Sequence, residues 1–216
     1  MTEPESLATI EGVDEHIRRH SYDRLIMLSD GIFAIATTLA ALNVRIPAHT
    51  GSLGALLLAS ARSFIAYALS FAVAGIFWIS NRDLFARLRK VDTPLTLLTL
   101  TLLSFIALIP ATIGTLYLQG GGDPQLRLYG LAMFACGIIN TGMWVYAACH
   151  PELMLYGVRR RERWARAGYA ASFPILFLPV LLLPSSQFAI VMLPLAFLVF
   201  LARRVLLPKW IGVPIR

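Results

Sequence analysis

A run of apolar residues from Leu25 to Leu42, interrupted by one carboxylate at Asp30, constrains this chain more than any other feature. A helix needs about 20 apolar residues to cross a bilayer, and this run is close to that length. An ionisable group inside such a helix is costly to bury, so it is typical of a functional or structural polar site. The run therefore indicates a membrane helix whose role goes beyond anchoring.

The rest of the sequence indicates that this helix is one of six. Hydrophobic residues make up 57% of the 216 residues, charged residues 14%, and the mean hydropathy is +0.70, too apolar for a soluble domain of this length. Five further apolar stretches follow the first: Leu53 to Ile79, Thr93 to Leu118, Leu128 to Cys149, Ala167 to Leu183, and Phe188 to Ala202. We predict an all-α integral membrane protein with six transmembrane helices, an N-terminal segment over 1–20, a membrane domain over 21–207 and a tail over 208–216.

Basic residues fall in alternate connections of this six-span plan. All but three of the 19 Lys and Arg lie before the first span, between the second and third, between the fourth and fifth, or after the last. The three on or toward the other side are Arg45, Arg62 and Arg127. Because cytoplasmic loops carry the excess of Lys and Arg, both termini are predicted to be cytoplasmic.

Several function classes lack the residues that they need. The four histidines lie outside the spans or at their ends, which argues against haem or metal sites inside the bundle. The formal charge of +7 sits at span ends beside apolar helices, so membrane lipids are expected partners and nucleic acid is not. No motif of a hydrolase, redox enzyme or nucleotide-binding loop is present, so we expect neither enzyme activity nor a cofactor.

The first span carries one apolar face. At 100° per residue, Ile35, Leu39, Leu42 and Thr38 lie on one stripe, and Asp30 points about 140° away from Ile35. Periodicity alone leaves two interpretations open. The stripe packs against neighbouring helices, or several copies of it surround an axis and form stacked apolar rings that control ions by dewetting.

Three motifs resemble the transmembrane protein 175 potassium channel family. In the segment Arg24 to Pro47, the residues Arg24, Ser29 and Asp30 match the family's R-x-x-x-F-S-D box, with Leu28 in place of its Phe. GIFWISNRDLF, Gly75 to Phe85, resembles the end of the family's second helix, and IALIPATIGTL, Ile106 to Leu116, resembles its third-helix Pro motif. The resemblance covers about the first 120 residues, and beyond them only the number of spans agrees.

The resemblance implies a specific assembly. Six-helix subunits of the prokaryotic type form a homotetramer in the cell membrane, here a prokaryotic inner membrane, and the first helices surround a central potassium pathway. The constriction residues carried over from the family are Ile35, Leu39 and Leu42, and Thr38 contributes a hydroxyl to potassium preference. Potassium is then the permeant ion, and no glycine-rich carbonyl filter is expected.

The family also implies a polar network between helices, and here the sequence departs from it. Arg24, Ser29 and Asp30 belong to that network, but Asn81 and Arg82 stand where the family has a His pair after the Trp of the second helix. We expect Asp30 to be paired, with Ser29, Arg24, Asn81 and Arg82 as candidate partners. Without the His, a pH dependence of gating does not carry over.

The sequence leaves three functions to compare. The first is a weakly selective, leak-type potassium channel with a hydrophobic constriction on the first helix. The second is a channel that conducts protons through the same pathway, and the third is a membrane scaffold that conducts nothing. Trp144, Trp164 and Trp210, near span ends, are expected to be interfacial anchors.

Overall fold

The computed structural model describes residues 3–47, 51–118 and 122–183, together with positions 187, 191, 194, 195 and 197–199. Side chains are described in these ranges apart from 3–18, 62 and 115–118. The described chain is all-helical, and its five long helices are α1 (Glu3–Leu42), α2 (Leu53–Phe85), α3 (Thr93–Leu118), α4 (Asp123–Cys149) and α5 (Arg160–Leu182). Each of the five contains a stretch long and apolar enough to cross a membrane.

The helices extend beyond several of the predicted spans. The structure has α1 beginning at Glu3, α4 at Asp123 and α5 at Arg160, all before the first apolar residue of the corresponding prediction. Hydropathy marks where a helix lies in hydrocarbon, whereas the helix itself continues wherever backbone hydrogen bonds continue. The predicted N-terminal segment 1–20 is therefore helical from Glu3 and runs into the first span without a break. The sixth predicted span, Phe188 to Ala202, lies largely outside the described residues.

Local sequence explains where α2, α3 and α4 begin. The hydroxyl of Ser52 accepts a hydrogen bond from the backbone N–H of Ala55 at 3.3 Å, and the carboxylate of Asp92 accepts one from Leu95 at 3.1 Å. Pro124 occupies the first turn of α4, where a missing N–H costs nothing. These caps satisfy orphan donors at the ends of long apolar helices.

The core lies between α3 and its neighbours. The helix α1 packs on α2 and α3, while α4 packs on α3 and α5. Between α4 and α5, the side chain of Val180 lies over Gly130, and Pro174 with its backbone nitrogen lies over Gly137. Small residues at these points let two backbones approach closely, as helix pairs in membranes commonly do.

At one end of the bundle, the connection after α2 is joined to the connection after α4. The backbone N–H of Leu155 donates to the carbonyl of Arg87 at 2.8 Å, and that of Arg89 donates to Leu153 at 2.8 Å. Asp83 pairs with Arg166 at 3.0 Å, and Arg87 pairs with Glu162 at 3.2 Å. We call this junction of α2 and α5 the basic end, because the α2–α3 and α4–α5 connections carry most of the basic residues there.

Candidate pore-lining face and polar cavity

The outward face of α1 is apolar and uncovered in the single chain. Ile35 is 58% exposed, Leu39 45% and Leu42 79%, and Thr38 is also exposed. These four residues share the stripe that helical periodicity predicts. One helix thus presents three branched aliphatic side chains and one hydroxyl to whatever lies outside the chain.

The opposite face of α1 is closely packed. Leu25, Ser29, Phe33, Ala36 and Ala40 are buried, and they follow one another at spacings of three or four residues. Alanine at two of these positions lets α2 and α3 approach α1 closely. The outward orientation of the stripe is therefore fixed by packing on the other side of the same helix.

Two polar side chains make hydrogen bonds near the C-terminal end of α1. The hydroxyl of Thr38 donates to the carbonyl of Ile35 at 2.9 Å, which leaves its oxygen lone pairs on the exposed face. The Nδ2 of Asn43, just after α1 ends, donates to the carbonyl of Pro110 in α3 at 3.3 Å. Beside the stripe, an open groove of about 250 Å³ separates Ile35 and Leu39 from Leu100 and Leu103 of α3.

A cavity of about 260 Å³ lies between residues 22–33 of α1 and the C-terminal part of α2, and we call it the polar cavity because Ser29, Asp30 and Asn81 line it among apolar side chains. Asp30 reaches it, and its Oδ1 accepts a hydrogen bond from the indole Nε1 of Trp78 at 2.8 Å. The guanidinium carbon of Arg82 lies 5.1 Å from the centre of the same indole ring, within the range of a cation–π contact. Trp78 therefore connects the carboxylate of α1 to the cation of α2.

The structure places the five predicted network residues as follows. Ser29, Asp30, Asn81 and Arg82 all line the cavity, whereas Arg24 is exposed and has no hydrogen bond or ion pair to the other four. The candidate partners for Asp30 were incomplete, because the hydrogen bond comes from Trp78. The hydroxyl of Ser29 donates to the carbonyl of Leu25 at 2.8 Å instead, and Arg82 pairs loosely with Asp83 at 3.9 Å.

Other polar contacts had no clear signal in the sequence. Trp144 is buried, and its indole N–H donates to the hydroxyl of Ser80 at 3.1 Å, which donates to the amide oxygen of Asn140 at 2.9 Å. The expectation of an interfacial anchor at Trp144 is wrong, because α2 supplies a hydrogen-bond partner inside the bundle. Trp164 is 43% exposed, and Trp210 lies outside the described residues.

Among the described residues, no group of three His, Cys, Asp or Glu side chains is arranged to hold a metal ion. The candidate site is the outward stripe of α1, and the polar cavity lies along another side of the same helix.

Comparison with known proteins gives one family and several relatives. Residues 24–110 match the family described as endosomal/lysosomal potassium channel TMEM175. A potassium channel of Streptomyces collinus is 32% identical over 127 residues, which are 56% of this chain and 62% of that protein. A potassium channel of Chamaesiphon minutus is 26% identical over 172 residues, 73% of this chain and 85% of that protein.

A human protein named endosomal/lysosomal proton channel TMEM175 is 29% identical over 144 residues, 60% of this chain. The matched segment spans less than two thirds of the Streptomyces relative and 29% of the human protein.

Two crystal structures share the fold. That of the Chamaesiphon minutus homologue of the lysosomal potassium-selective channel TMEM175 has a TM-score of 0.64 and 24% identity, over 89% of this chain and 97% of that one. That of a variant of the potassium channel MtTMEM175, in complex with a nanobody–MBP fusion protein, has a TM-score of 0.60 and 21% identity, over 88% of this chain and 91% of that one.

Proposed function

We propose that this integral membrane protein, whose residues 24–110 match the TMEM175 family, belongs to that family and is a potassium-permeable, weakly selective leak channel. Its constriction consists of Ile35, Leu39 and Leu42 on the outward face of α1, and Thr38 supplies the hydroxyl that favours potassium. The bacterial relatives named as potassium channels support this function.

The observation that carries the proposal is the opposition of the two faces of α1. Its small and aromatic residues pack against α2 and α3, while its branched aliphatic residues remain outside the packed bundle. Because lipid tails are as apolar as leucine, helix contacts in a membrane favour small residues, and large apolar side chains on any helix can face outward. What distinguishes the outward face of α1 is that it holds the constriction positions implied by the family resemblance, Ile35, Leu39 and Leu42, with the hydroxyl of Thr38 among them. The orientation in this chain suits a helix that lines a pathway between several copies.

An apolar constriction conducts when it is wide enough to hold water and blocks ions when it dries. Branched side chains cannot replace the hydration shell of a cation, so an ion passes with most of its water and is only weakly selected. A hydroxyl at Thr38 offers oxygen lone pairs next to the rings, and this partial compensation favours the more easily dehydrated potassium ion.

The proposal requires more than one chain, because a single stripe encloses nothing. We propose four copies around a central axis, each with a sixth span after α5 and with both termini cytoplasmic. The excess of basic residues on the α2–α3 and α4–α5 connections supports this orientation. Anionic lipid headgroups are the expected neighbours of the same residues.

The deciding experiment is cation flux into liposomes that contain the purified protein, with potassium, sodium and protons compared. Ile35→Asn is expected to raise potassium flux about tenfold and to reduce the preference over sodium, because a polar ring stays wet at a smaller radius. The matched control is Ile65→Asn, since Ile65 is 52% exposed on α2 and lies away from α1's stripe.

Equal effects of the two substitutions would exclude α1 as the pore wall. A purified oligomer without any flux would reject the channel and favour the non-conducting scaffold. An oligomer near four times 23.8 kDa, after correction for detergent, is the expected mass.

A second candidate is proton conduction, and one contact favours it. Asp30 is a carboxylate inside a membrane helix, beside a cavity, with an indole donor on one oxygen. Carboxylates at such depth commonly serve proton pathways, and the human relative is named as a proton channel. If Asp30→Asn abolishes proton flux and preserves potassium flux, this second function is supported. If it reduces proton flux and potassium flux equally, the second function is rejected.

A further inference from the structure

The cavity between α1 and α2 contains a hydrogen-bond donor that none of the described residues satisfies. Asn81 is 3% exposed, and among the described residues its Nδ2 has no hydrogen-bond partner. A buried amide N–H without a partner is costly, and such groups are usually bound to ordered water or a ligand. Because Asn81 lines the cavity, the missing acceptor belongs in that space.

An acceptor lies in the same cavity. One oxygen of Asp30 accepts the indole N–H of Trp78, and its other oxygen has no hydrogen bond from any residue that the structure describes. A guest that bridges the two groups needs an acceptor for Asn81 and a donor for Asp30. Water meets both needs, and the volume of about 260 Å³ holds several water molecules.

The α2 side of the cavity extends to a group of charged residues. Its lining runs along α2 from Trp78 to Ala86, a length of about 12 Å at the rise of a helix. The side chain of Arg82 is 59% exposed, and Asp83 and Arg87 follow it at the basic end of the bundle. Charged side chains of this kind lie among headgroups and water rather than in hydrocarbon, so an opening beside them would reach the aqueous phase.

We propose that this cavity is a hydrated binding site, open to the aqueous phase at the basic end. It takes water and small solutes that carry both a hydrogen-bond donor and an acceptor, such as a primary amide or an alcohol. The site is separate from the outward stripe of α1, and the proposal does not depend on whether the protein conducts ions.

The test is thiol accessibility in liposomes, read as the mass of the intact protein. The background is Cys149→Ser, which removes the exposed native thiol and leaves Cys136, which is fully buried. Asn81→Cys and Ser29→Cys place a thiol on the cavity wall. The probe is the membrane-impermeant cation trimethylammonioethyl methanethiosulfonate, present on both sides of the membrane.

Thr99→Cys is the matched control. Thr99 is fully buried and lies at a similar depth on α3, and its hydroxyl donates to the carbonyl four residues earlier, as that of Ser29 does. We expect both cavity variants to be modified on the order of a hundredfold faster than the control, because thiolates form and react only where water reaches them. If Asn81→Cys does not assemble, the smaller change Ser29→Cys still tests the site.

Two outcomes overturn the proposal. If both cavity variants are modified as slowly as the control, the cavity is closed to water. Modification by the membrane-permeant N-ethylmaleimide alone means that lipid tails fill it.

A second measurement tests the ligand chemistry. The Asn81→Cys thiol is also modified with the anionic reagent sulfonatoethyl methanethiosulfonate, and the modification rates of the two reagents are compared. Adding Asp30→Asn is expected to lower the ratio of the cationic to the anionic rate several-fold, because a carboxylate that faces the cavity attracts cations. An unchanged ratio shows that Asp30 does not face the guest and overturns the proposed donor requirement.

Discussion

The first and fourth spans are both apolar, but the chain covers them very differently. Within the most apolar 18 residues of each span, the buried share is 28% in the first span and 50% in the fourth. The fourth closes on α5 through glycines, whereas the first leaves Ile35 and Leu42 outside. The α4 helix thus finds most of its contacts within one chain, whereas α1 keeps a broad apolar surface that a single chain does not cover.

Residue size accounts for the difference. At Gly137 an added Cβ would lie 2.8 Å from the ring of Pro174 and 2.9 Å from its backbone nitrogen, so α4 has no room for a larger residue at this position. At Gly31 on α1 an added Cβ meets nothing within 4 Å. A helix face whose glycine has free space beside it and whose neighbouring residues are branched does not form a close contact within the chain. It can face water or another subunit.

The largest expected effect comes from adding one methyl group at each of these glycines. Gly137→Ala is expected to destabilise the folded protein by about 3 kcal/mol, because a Cβ there forces backbone of α4 and α5 apart. Gly31→Ala is expected to be neutral or stabilising by about 1 kcal/mol, because alanine favours the helix. The measurement is the temperature at which each detergent-purified variant loses its monodisperse peak in size-exclusion chromatography.

Equal loss of stability in the two alanine variants would remove the contrast between α1 and α4. It would show that Gly31 is in close contact with another helix of the assembly, and the outward stripe would then be a packing surface.

Much of the fold could be predicted from hydropathy alone. Thr93–Leu118 was predicted to the residue, because polar residues bound that helix on both sides. The helices α4 and α5 begin several residues before their predicted apolar stretches, because their first turns are polar and hydropathy does not mark them. Helix ends depend on caps and on tertiary hydrogen bonds that composition does not record.

The candidate site was predictable in part. Periodicity identified the stripe of α1, since a helix repeats its faces at a fixed angle. The partner of Asp30 was not identified, because residues 48 positions apart in sequence meet only through the angle between α1 and α2. Trp78 was a possible donor in the sequence, but its distance from Asp30 depends on packing.

The second prediction concerns how α1 is held to α2 at Asp30. Trp78→Phe removes the only hydrogen bond to Asp30 from the described residues and is expected to cost about 2 kcal/mol, because the acceptor is a carboxylate. Trp144→Phe removes a bond to the neutral hydroxyl of Ser80 and is expected to cost about 1 kcal/mol. Thermal unfolding of both variants measures the difference. A larger loss in Trp144→Phe would show that α1 does not depend on this contact.

The third prediction concerns the junction between α2 and α5. A double-mutant cycle with Asp83→Asn and Arg166→Gln is expected to give a coupling of about 1 kcal/mol, since both side chains are mostly covered but not fully desolvated. The control cycle pairs Asp83→Asn with Arg82→Gln, whose guanidinium lies 3.9 Å away and is more exposed. It is expected to show little coupling. Similar couplings in the two cycles would mean that the ion pair adds nothing beyond general charge at the basic end.

The smallest expected effect separates two neighbouring threonines on α1. Thr38→Ala is expected to lower the ratio of potassium to sodium flux by about threefold, because it removes a hydroxyl from the outward stripe. Thr37→Ala should leave the ratio unchanged. The hydroxyl of Thr37 also donates to backbone carbonyls of α1, those of Phe33 and Ala34. Thr37 lies on a more covered side of the helix than Thr38 does. Because both changes remove the same group and the same kind of local bond, only the direction of the side chain differs.

If both variants change the ratio of potassium to sodium flux equally, the hydroxyl acts through helix geometry rather than by contact with the permeating ion. The outward face of α1 then has no role in ion preference that its packed face lacks.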